Sequence, residues 1–453
     1  MSDPLQRVLR ATAAFAFALA APAAFATDGY FDPTFGFGGR HSVAVTGLFD
    51  DEGYRVAILP DGRLLLTGMC RRDATTPTFC ATRLRADGTG YDTTFGPGGL
   101  GYLSLHNMRG FPDAYLSDSV LLPDGRIAMA GMSSDYRIFI AILKADGSDL
   151  DTNVGGGTGW FQASFGGAQD QLLALAVQPD GKFLLAGSTI GVNDNADMAI
   201  ARVKRDLSGL DPAFNAGGAT PGLRVIAFDA GGPGQNDTDY ASWVGVRPDG
   251  RIQLVGSANL TLGTSDAAFA SVMPDGTMDA SFGPDHDGRF HYRVSSLTAV
   301  NPIGAVLDRN GRLVITGVGT AGGSSQYCVV DRVLADGSRD PAFGSPGEGA
   351  LISMVVDSQP VYFACSRVAL QFDRKIVTVG WSAHSPTDSL LYWGSVRLLD
   401  DGTLDPSYGL AGRVYGTFAD APNTSYVDWG QDVAIGDRGI IFAGFQSDSA
   451  SAP

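Results

Sequence analysis

A five-residue phrase recurs through this chain at nearly constant spacing. A period of this size restricts the fold to a repeat architecture. Its plainest form is Asp-x-x-Phe-Gly. It occurs as Asp32-Pro-Thr-Phe-Gly36, Asp92-Thr-Thr-Phe-Gly96, Asp151-Thr-Asn-Val-Gly155, Asp211-Pro-Ala-Phe-Asn215, Asp279-Ala-Ser-Phe-Gly283, Asp340-Pro-Ala-Phe-Gly344 and Asp405-Pro-Ser-Tyr-Gly409. Successive copies start 60, 59, 60, 68, 61 and 65 residues apart.

The stretch between copies reads as strands. In residues 40–99 the pattern predicts strands at 40–45, 54–59, 63–67 and 79–85. The apolar runs are short, alternate, and show no helical period. Pro60-Asp61-Gly62 and Ala86-Asp87-Gly88 separate them. Asp-Gly suits hairpin turns because both residues tolerate positive φ. The first turn's acid recurs as Asp61, Asp124, Asp180, Asp249, Asn310, Asp373 and Asp437. A glycine follows seven residues later each time: Gly68, Gly131, Gly187, Gly256, Gly317, Gly380 and Gly444. A fixed offset inside a variable period marks a rigid hairpin, with this glycine expected at the end of its second strand.

Four places before the later turn acid stands a basic column: Arg83, Arg202, Arg332 and Arg397, with Ile142 and Ser271 as exceptions. A catalytic group is needed once, whereas a structural brace is needed in every unit. Arginine can hold a carboxylate and several carbonyls together, so the column reads as a brace. The aromatics at 35, 95, 214, 282, 343 and 408 read as packing anchors between units, with Val154 as the exception.

Small four-stranded units protect their edges by closing radially. The expected fold is therefore all-β: a β-propeller of seven blades, each mainly a four-stranded antiparallel sheet. The strand before each Pro-Asp-Gly turn is placed innermost, since it carries the small residues Ala57, Ala176, Gly245 and Ala369. The last blade is incomplete, because 445–453 holds no third-strand pattern. The ring then closes with 40–45 adding to the last blade; two alternatives stay open, six complete blades plus a partial one, or a chain lacking its natural end.

The segments Gln178-Pro-Asp-Gly-Lys-Phe-Leu-Leu-Ala-Gly187, Ala199-Ile-Ala-Arg-Val203 and Leu210-Asp-Pro-Ala-Phe214 resemble the delta-60 repeat of bacterial secreted and surface proteins. The resemblance covers residues 28–444 and is similar in logic to NHL-type propellers. It implies a β-propeller and carries no catalytic residues with it.

The N-terminus reads as an export signal. Arg7 and Arg10 precede the apolar run 11–23, and Ala24-Phe25-Ala26 fits a cleavage site. The expected domains are thus a signal peptide at 1–26 and one propeller at 27–453, in the periplasm, outside the cell or on its surface. The run is too short for a membrane anchor and is interrupted by Pro22. With 48 acidic against 32 basic residues the chain carries a formal charge of -16, which disfavours nucleic acid and anionic lipid. Four cysteines in an exported chain permit two disulfides, expected as Cys70–Cys80 and Cys328–Cys365.

The turn face repeats almost literally, while the other connections differ in every unit. Function on a repeated scaffold resides in such variable loops. They include 106–117, 188–196, 229–241, 257–266, 381–390 and 418–429. The residues expected to face a ligand are Asp113, Tyr115, Asp239, Tyr240, Trp243, Tyr426, Asp428 and Trp429. Aromatic rings beside acids suit carbohydrate, peptide or cation binding, and the expected ligand is a glycan, peptide or protein. No sequence motif points to a catalytic residue, metal or cofactor; His106 and His384 lie near the loops but lack a nucleophile at an identifiable spacing. The expectation is a monomeric binding module without a membrane-spanning part. A hydrolase or lyase with carboxylates in the funnel and a structural surface protein are the alternatives.

Overall fold

The computed structural model describes residues 29–448 apart from 44, 46–50, 72, 74–75, 107, 192–194, 229–237, 262–263, 323–324, 357–358, 384–390, 417–425 and 438. The described chain is a succession of antiparallel units. The first holds β1 (Glu52–Ile58), β2 (Leu64–Arg71), β3 (Pro77–Leu84) and β4 (Tyr102–Ser104). The second holds β5 (Tyr115–Leu121), β6 (Ile127–Met132), β7 (Ile138–Leu143) and β8 (Trp160–Ala163). Next come β9 (Gln169–Val177), β10 (Phe183–Ile190), β11 (Ala196–Val203) and β12 (Leu223–Ile226). The fourth unit holds β13 (Asp239–Val246), β14 (Ile252–Thr261), β15 (Thr264–Val272) and β16 (Arg289–Tyr292). The fifth holds β17 (Ala299–Leu307), β18 (Leu313–Thr320), β19 (Gln326–Val333) and β20 (Ala350–Ile352). A short β21 (Met354–Val356) then precedes β22 (Gln359–Leu370), β23 (Ile376–Ala383), β24 (Tyr392–Leu398) and β25 (Arg413–Gly416). The chain ends in a hairpin of β26 (Tyr426–Gly436) and β27 (Gly439–Asp448).

These strands form six hydrogen-bonded sheets among the described residues. The eight-stranded one is the fourth and fifth units, joined by one parallel pair, Ser265 opposite Ala299. The first strands β1, β5, β9, β13, β17, β22 and β26 each pack against the next, and β26 packs against β1. The arrangement is propeller-like, with first strands innermost and the short strands after each Asp-x-x-Phe-Gly phrase at the outer edges.

The glycine column has a different reason from the one read in the sequence. Gly68 does not end its strand, because β2 continues to Arg71. It lies opposite a β-bulge in β1, where the register shifts between Gly53 and Arg55. The bulge pushes a carbonyl across the ladder. A Cβ on Gly68 would lie 1.8 Å from the Glu52 oxygen, and one on Gly256 would lie 1.7 Å from the Tyr240 oxygen. Only glycine leaves room. The same bulge recurs in β5, β9, β13, β17, β22 and β26.

The expected strand at 40–45 is absent from its described residues. Arg40 makes isolated bridges to Gly36 and Phe37, and 41–43 carry no strand. Residues 37–40 form a tight loop in which Gly38 and Gly39 have positive φ, so the chain curls where an extended strand was expected. The last hairpin, by contrast, extends to Asp448, well beyond the expected end.

The two disulfides join Cys70 to Cys80 within the first sheet and Cys328 to Cys365 between β19 and β22.

Candidate functional site

Strand direction sorts the connections onto two faces. Each first strand runs into the Pro-Asp-Gly-type turn, and each third strand returns to the same face, where the Asp-x-x-Phe-Gly phrase follows. There the arginine column does what a brace requires. Arg83 Nε donates to Asp92 Oδ2 at 2.6 Å, and the same bond joins Arg202 to Asp211, Arg332 to Asp340 and Arg397 to Asp405. The guanidiniums lie 4.8 Å from the rings of Phe95, Phe214, Phe343 and Tyr408. Arg83 and Arg332 also donate to carbonyls of the following unit, Ala145 and Asp400. Where the column is broken, Arg126 serves Asp151, and Ser271 with Arg251 serves Asp279. Six of the phrases dock on the next unit through one backbone bond, among them Gly96 N to Asp146 O, Gly283 N to Asp336 O and Gly344 N to Asp401 O.

The opposite face carries the starts of the first strands, and with them the residues expected to face a ligand. Tyr115 is exposed at the start of β5, and Asp113 is exposed just before it, 3.6 Å from His106 Nδ1. Tyr240 is half-buried in β13. Trp429 is half-buried, with its ring 5.6 Å from Trp381 and 5.8 Å from Phe445. Tyr426 opens β26, and its side chain is outside the described part, as are the loops 229–237, 384–390 with His384, and 418–425.

Three of the expected residues need correction. Asp239 and Asp428 are each 1% exposed and cannot face a ligand. Asp239 accepts from Phe228 N, and Asp428 accepts from Gln446 Nε2. Asp170 in β9 serves the same purpose, taking Phe165 N, Gly167 N and the hydroxyls of Ser164 and Thr189. Asp239 and Asp170 satisfy backbone amides where one unit crosses to the next, and Asp428 holds a side chain of its own hairpin. Trp243 lies in a strand, not in a loop; its half-buried ring packs over Gly245 and against the core of the next unit.

Trp243 belongs to a column that the sequence reading passed over. The residue just after each first-strand bulge, or six places before the turn acid, is Arg55, Asp118, Ala174, Trp243, Gly304 and Arg367; Asp432 holds the place in the last hairpin. Because the first strands form a ring, these positions converge. On one arc the charges alternate: Arg367, Asp432, Arg55, Asp118. Arg55 Nε donates to Asp118 Oδ1 at 2.6 Å. Asp118 Oδ2 accepts Leu175 N of the next unit at 2.9 Å, and Asp432 Oδ2 accepts Val56 N at 2.8 Å. Arg367 donates to the carbonyls of Ile303 and Ser366. Burial, with help from the charge of Arg55, pushes the Arg367 guanidinium down to about 10. Burial also raises the Asp432 carboxyl, although Arg55 and the Val56 amide oppose it. A cavity of about 110 Å³ opens beside the cluster, lined by Arg55, Thr67, Ser119 and Asp432 among others.

Two further features lie off this axis. A cavity of about 450 Å³ on the braced face is lined by Arg126, Asn153, Val154, Lys204, Arg205 and Asp206. It sits where the phrase has valine in place of an aromatic. At an outer edge, His291 Nδ1 lies 2.9 Å from Asp266 Oδ2, and Arg293 donates to the other oxygen of the same carboxylate. Among the described residues no three His, Cys, Asp or Glu side chains are grouped to hold a metal.

Residues 178–214 and 247–282 match a family model described as a domain of unknown function (DUF5122) beta-propeller. No curated protein matches the chain. Its arrangement is similar at low identity to that of several solved proteins. PorZ, a surface component of the type-IX secretion system of Porphyromonas gingivalis, is 11% identical over 89% of this chain and 48% of its own, with a TM-score of 0.40. A puromycin hydrolase S511A mutant is 15% identical over 92% and 60%, with a TM-score of 0.39. A putative 6-phosphogluconolactonase of Bacteroides fragilis is 14% identical over 86% and 94%, with a TM-score of 0.40. The chain spans about half the length of the first and 60% of the second. Likeness at this level carries no argument about activity.

Proposed function

We propose that this chain is an exported seven-bladed β-propeller of the delta-60 repeat kind, cleaved after Ala26, that works as a binding module. Its ligand is a glycan, peptide or protein that meets the face opposite the Pro-Asp-Gly turns and reaches the axial charges. Tyr115, Tyr240 and Trp429 are its contacts on that face. The seventh blade is shared by the two ends of the chain: β26 and β27 from one end, the Asp32 phrase from the other.

One observation carries the binding role. A brace that each unit needs is repeated in each unit, as the Arg–Asp–aromatic set is. The axial set is not repeated. Arg367, Asp432, Arg55 and Asp118 place half-buried charges on one arc, where desolvation works against the fold, and the other arc carries Ala174, Trp243 and Gly304. Such one-sidedness suits recognition of a ligand, not the upkeep of a symmetric scaffold.

Glycan and peptide arrays test this with the unaltered protein and with Arg367→Met and Tyr115→Ala variants. Binding that either variant weakens while folding stability holds supports the reading. A protein that binds nothing on either array and retains no partner on affinity capture overturns it. The Asp266–His291 pair favours a second reading, a hydrolase acting at the outer edge of the fourth unit. Chromogenic ester and glycoside substrates decide it: turnover that His291→Gln abolishes would replace the binding role.

A further inference from the structure

Every complete unit has a third strand. It covers the second strand, it buries the fourth residue of the phrase, and in all but the second unit, where Arg126 ahead of the second strand serves Asp151, it brings an arginine or a serine to the phrase acid. Among the described residues the last hairpin has no such strand. β27 pairs with β26 alone among the described residues. Its described side chains from Ile440 to Gln446 are half-buried except Ala443, whereas β10 is buried from Phe183 to Thr189.

The N-terminal phrase marks the place where that strand belongs. Gly36 N donates to Asp87 O, the bond by which Gly96, Gly283 and Gly344 dock on their following units. Gly29 lies against Gly409, where a Cβ would be 2.3 Å from the Gly409 nitrogen. Gly337 and Gly402, which follow third strands, meet Gly283 N and Gly344 N in the same way. The frame on both sides of a third strand is therefore built. Yet Asp32 is exposed, and its partners among the described residues are the amide and hydroxyl of Thr34, both on Oδ1. Phe35 is half-buried where Phe95 and Phe214 are 0% exposed. Tyr30 and Phe37, on the same segment, are 68% and 70% exposed.

We propose that the open edge of β27 accepts an extended strand from a partner protein: an apolar strand, antiparallel to β27, whose arginine reaches Asp32 and covers Phe35. It rests on the seventh-blade reading given above. An unpaired edge supplies main-chain donors and acceptors, alternate side chains supply fit, and the unbraced carboxylate supplies selectivity for a cation. The register is fixed by the other units. Arg83, Arg202, Arg332 and Arg397 pair with the residue three before the bulge glycine, so the arriving arginine lies opposite Ile441.

The probe is a labelled peptide with the sequence of residues 196–205 of this chain, a third strand carrying Arg202, added to the full-length protein. Anisotropy should show saturable binding, and hydrogen exchange should show new protection of the amides from 440 to 446. The Arg202→Glu peptide, or the Asp32→Asn protein with the original peptide, should bind about tenfold or more weakly, the loss of one charge-assisted bond. Absence of binding overturns the proposal. Prior protection of β27 in the free protein would assign the place to the chain's own terminal residues, and protection that grows with protein concentration would assign it to a second copy; both overturn it. The Gly36 amide separates this from failure of the underlying reading: a protected Gly36 means that the ring closes whatever the peptide does, and a freely exchanging Gly36 means that it does not.

Discussion

Leu207 fills beside Val154 the space that an aromatic ring fills beside glycine elsewhere in the chain. Both belong to one buried cluster. In other units a turn glycine faces the ring: a Cβ on Gly147 would lie 2.3 Å from Phe95, and one on Gly402 would lie 3.0 Å from Phe343. Here the turn residue is leucine, 1% exposed with φ of 55°, and the phrase residue is valine. A large–small pair has been exchanged for two of middle size, with the left-handed backbone retained at a cost that the packing offsets.

Val154→Phe alone is expected to overpack this site and lower stability by about 1–3 kcal/mol. Val154→Phe combined with Leu207→Gly should recover most of the loss, since it recreates the pairing of the other units. Urea unfolding of the two variants checks this. A double variant as unstable as the sum of its parts would show that the two residues do not share one space.

The axial pair predicts a second coupling. Arg55 and Asp118 side chains are 14% and 13% exposed, so removing one leaves the other poorly solvated. Arg55→Met should lower stability by about 3 kcal/mol. The double change Arg55→Met with Asp118→Leu should cost less than the two single changes added together, but not nothing, because Leu175 N then loses its acceptor. A double-mutant cycle from denaturant midpoints gives the coupling.

The braces set the acid limit of the fold. Burial works to raise the Asp92 carboxyl, but hydrogen bonds from Thr94, Arg63 and Arg83 outweigh it and hold it far below the usual range. Burial is likewise outweighed at Asp405 by Ser407, Arg397 and Lys375. A depressed folded-state value adds stability that is present above the unfolded value of about 3.9 and is lost as pH falls towards the folded one. Stability should therefore fall below about pH 4, and Asp92→Asn should reduce that slope. Asp432 is raised, so its contribution has the opposite sign: it favours the fold at low pH and is lost as pH rises. Asp432→Asn should steepen the acid loss. Thermal midpoints between pH 3 and pH 7 test both signs.

The disulfides differ in reach. Cys70–Cys80 closes a separation of 10 residues, and Cys328–Cys365 closes one of 37 across two units. Loop-closure entropy assigns them roughly 3 and roughly 4 kcal/mol. Free-thiol titration of denatured, unreduced protein should find none. Replacing Cys328 and Cys365 by Ala should lower the thermal midpoint more than replacing Cys70 and Cys80.

The local grammar of the fold was legible without coordinates. The turn acids, the hairpin glycines, the arginine brace and the anchoring aromatics all lie within one unit, at offsets that short-range geometry fixes. Even there the sequence named a position without its reason: Gly68 faces a bulge in the neighbouring strand, and a bulge leaves no mark of its own in composition. The Leu207 exchange was visible too, but only to a reader who set the turn residue of one unit beside the phrase residue of the unit before it.

The site depended on the assembled chain. Asp239 and Asp428 looked like loop acids and are buried: Asp239 takes the Phe228 amide at a unit crossing and Asp428 the Gln446 side chain, partners that no local pattern reveals. Arg55, Asp118 and Arg367 stand in one sequence column that mixes them with alanine, tryptophan and glycine, and Asp432 lies one place off it and joins them through the register of its hairpin. What makes them a cluster is that β26 packs on β1 and sets the end of the chain beside its beginning. Spacing along the chain determines the repeating unit, since each unit's bonds are made within about sixty residues. Which side chains meet at the axis is decided by the packing of unit on unit and by closure: Arg55 meets Asp118 of the next unit, and Val56 N meets Asp432 from the far end of the chain.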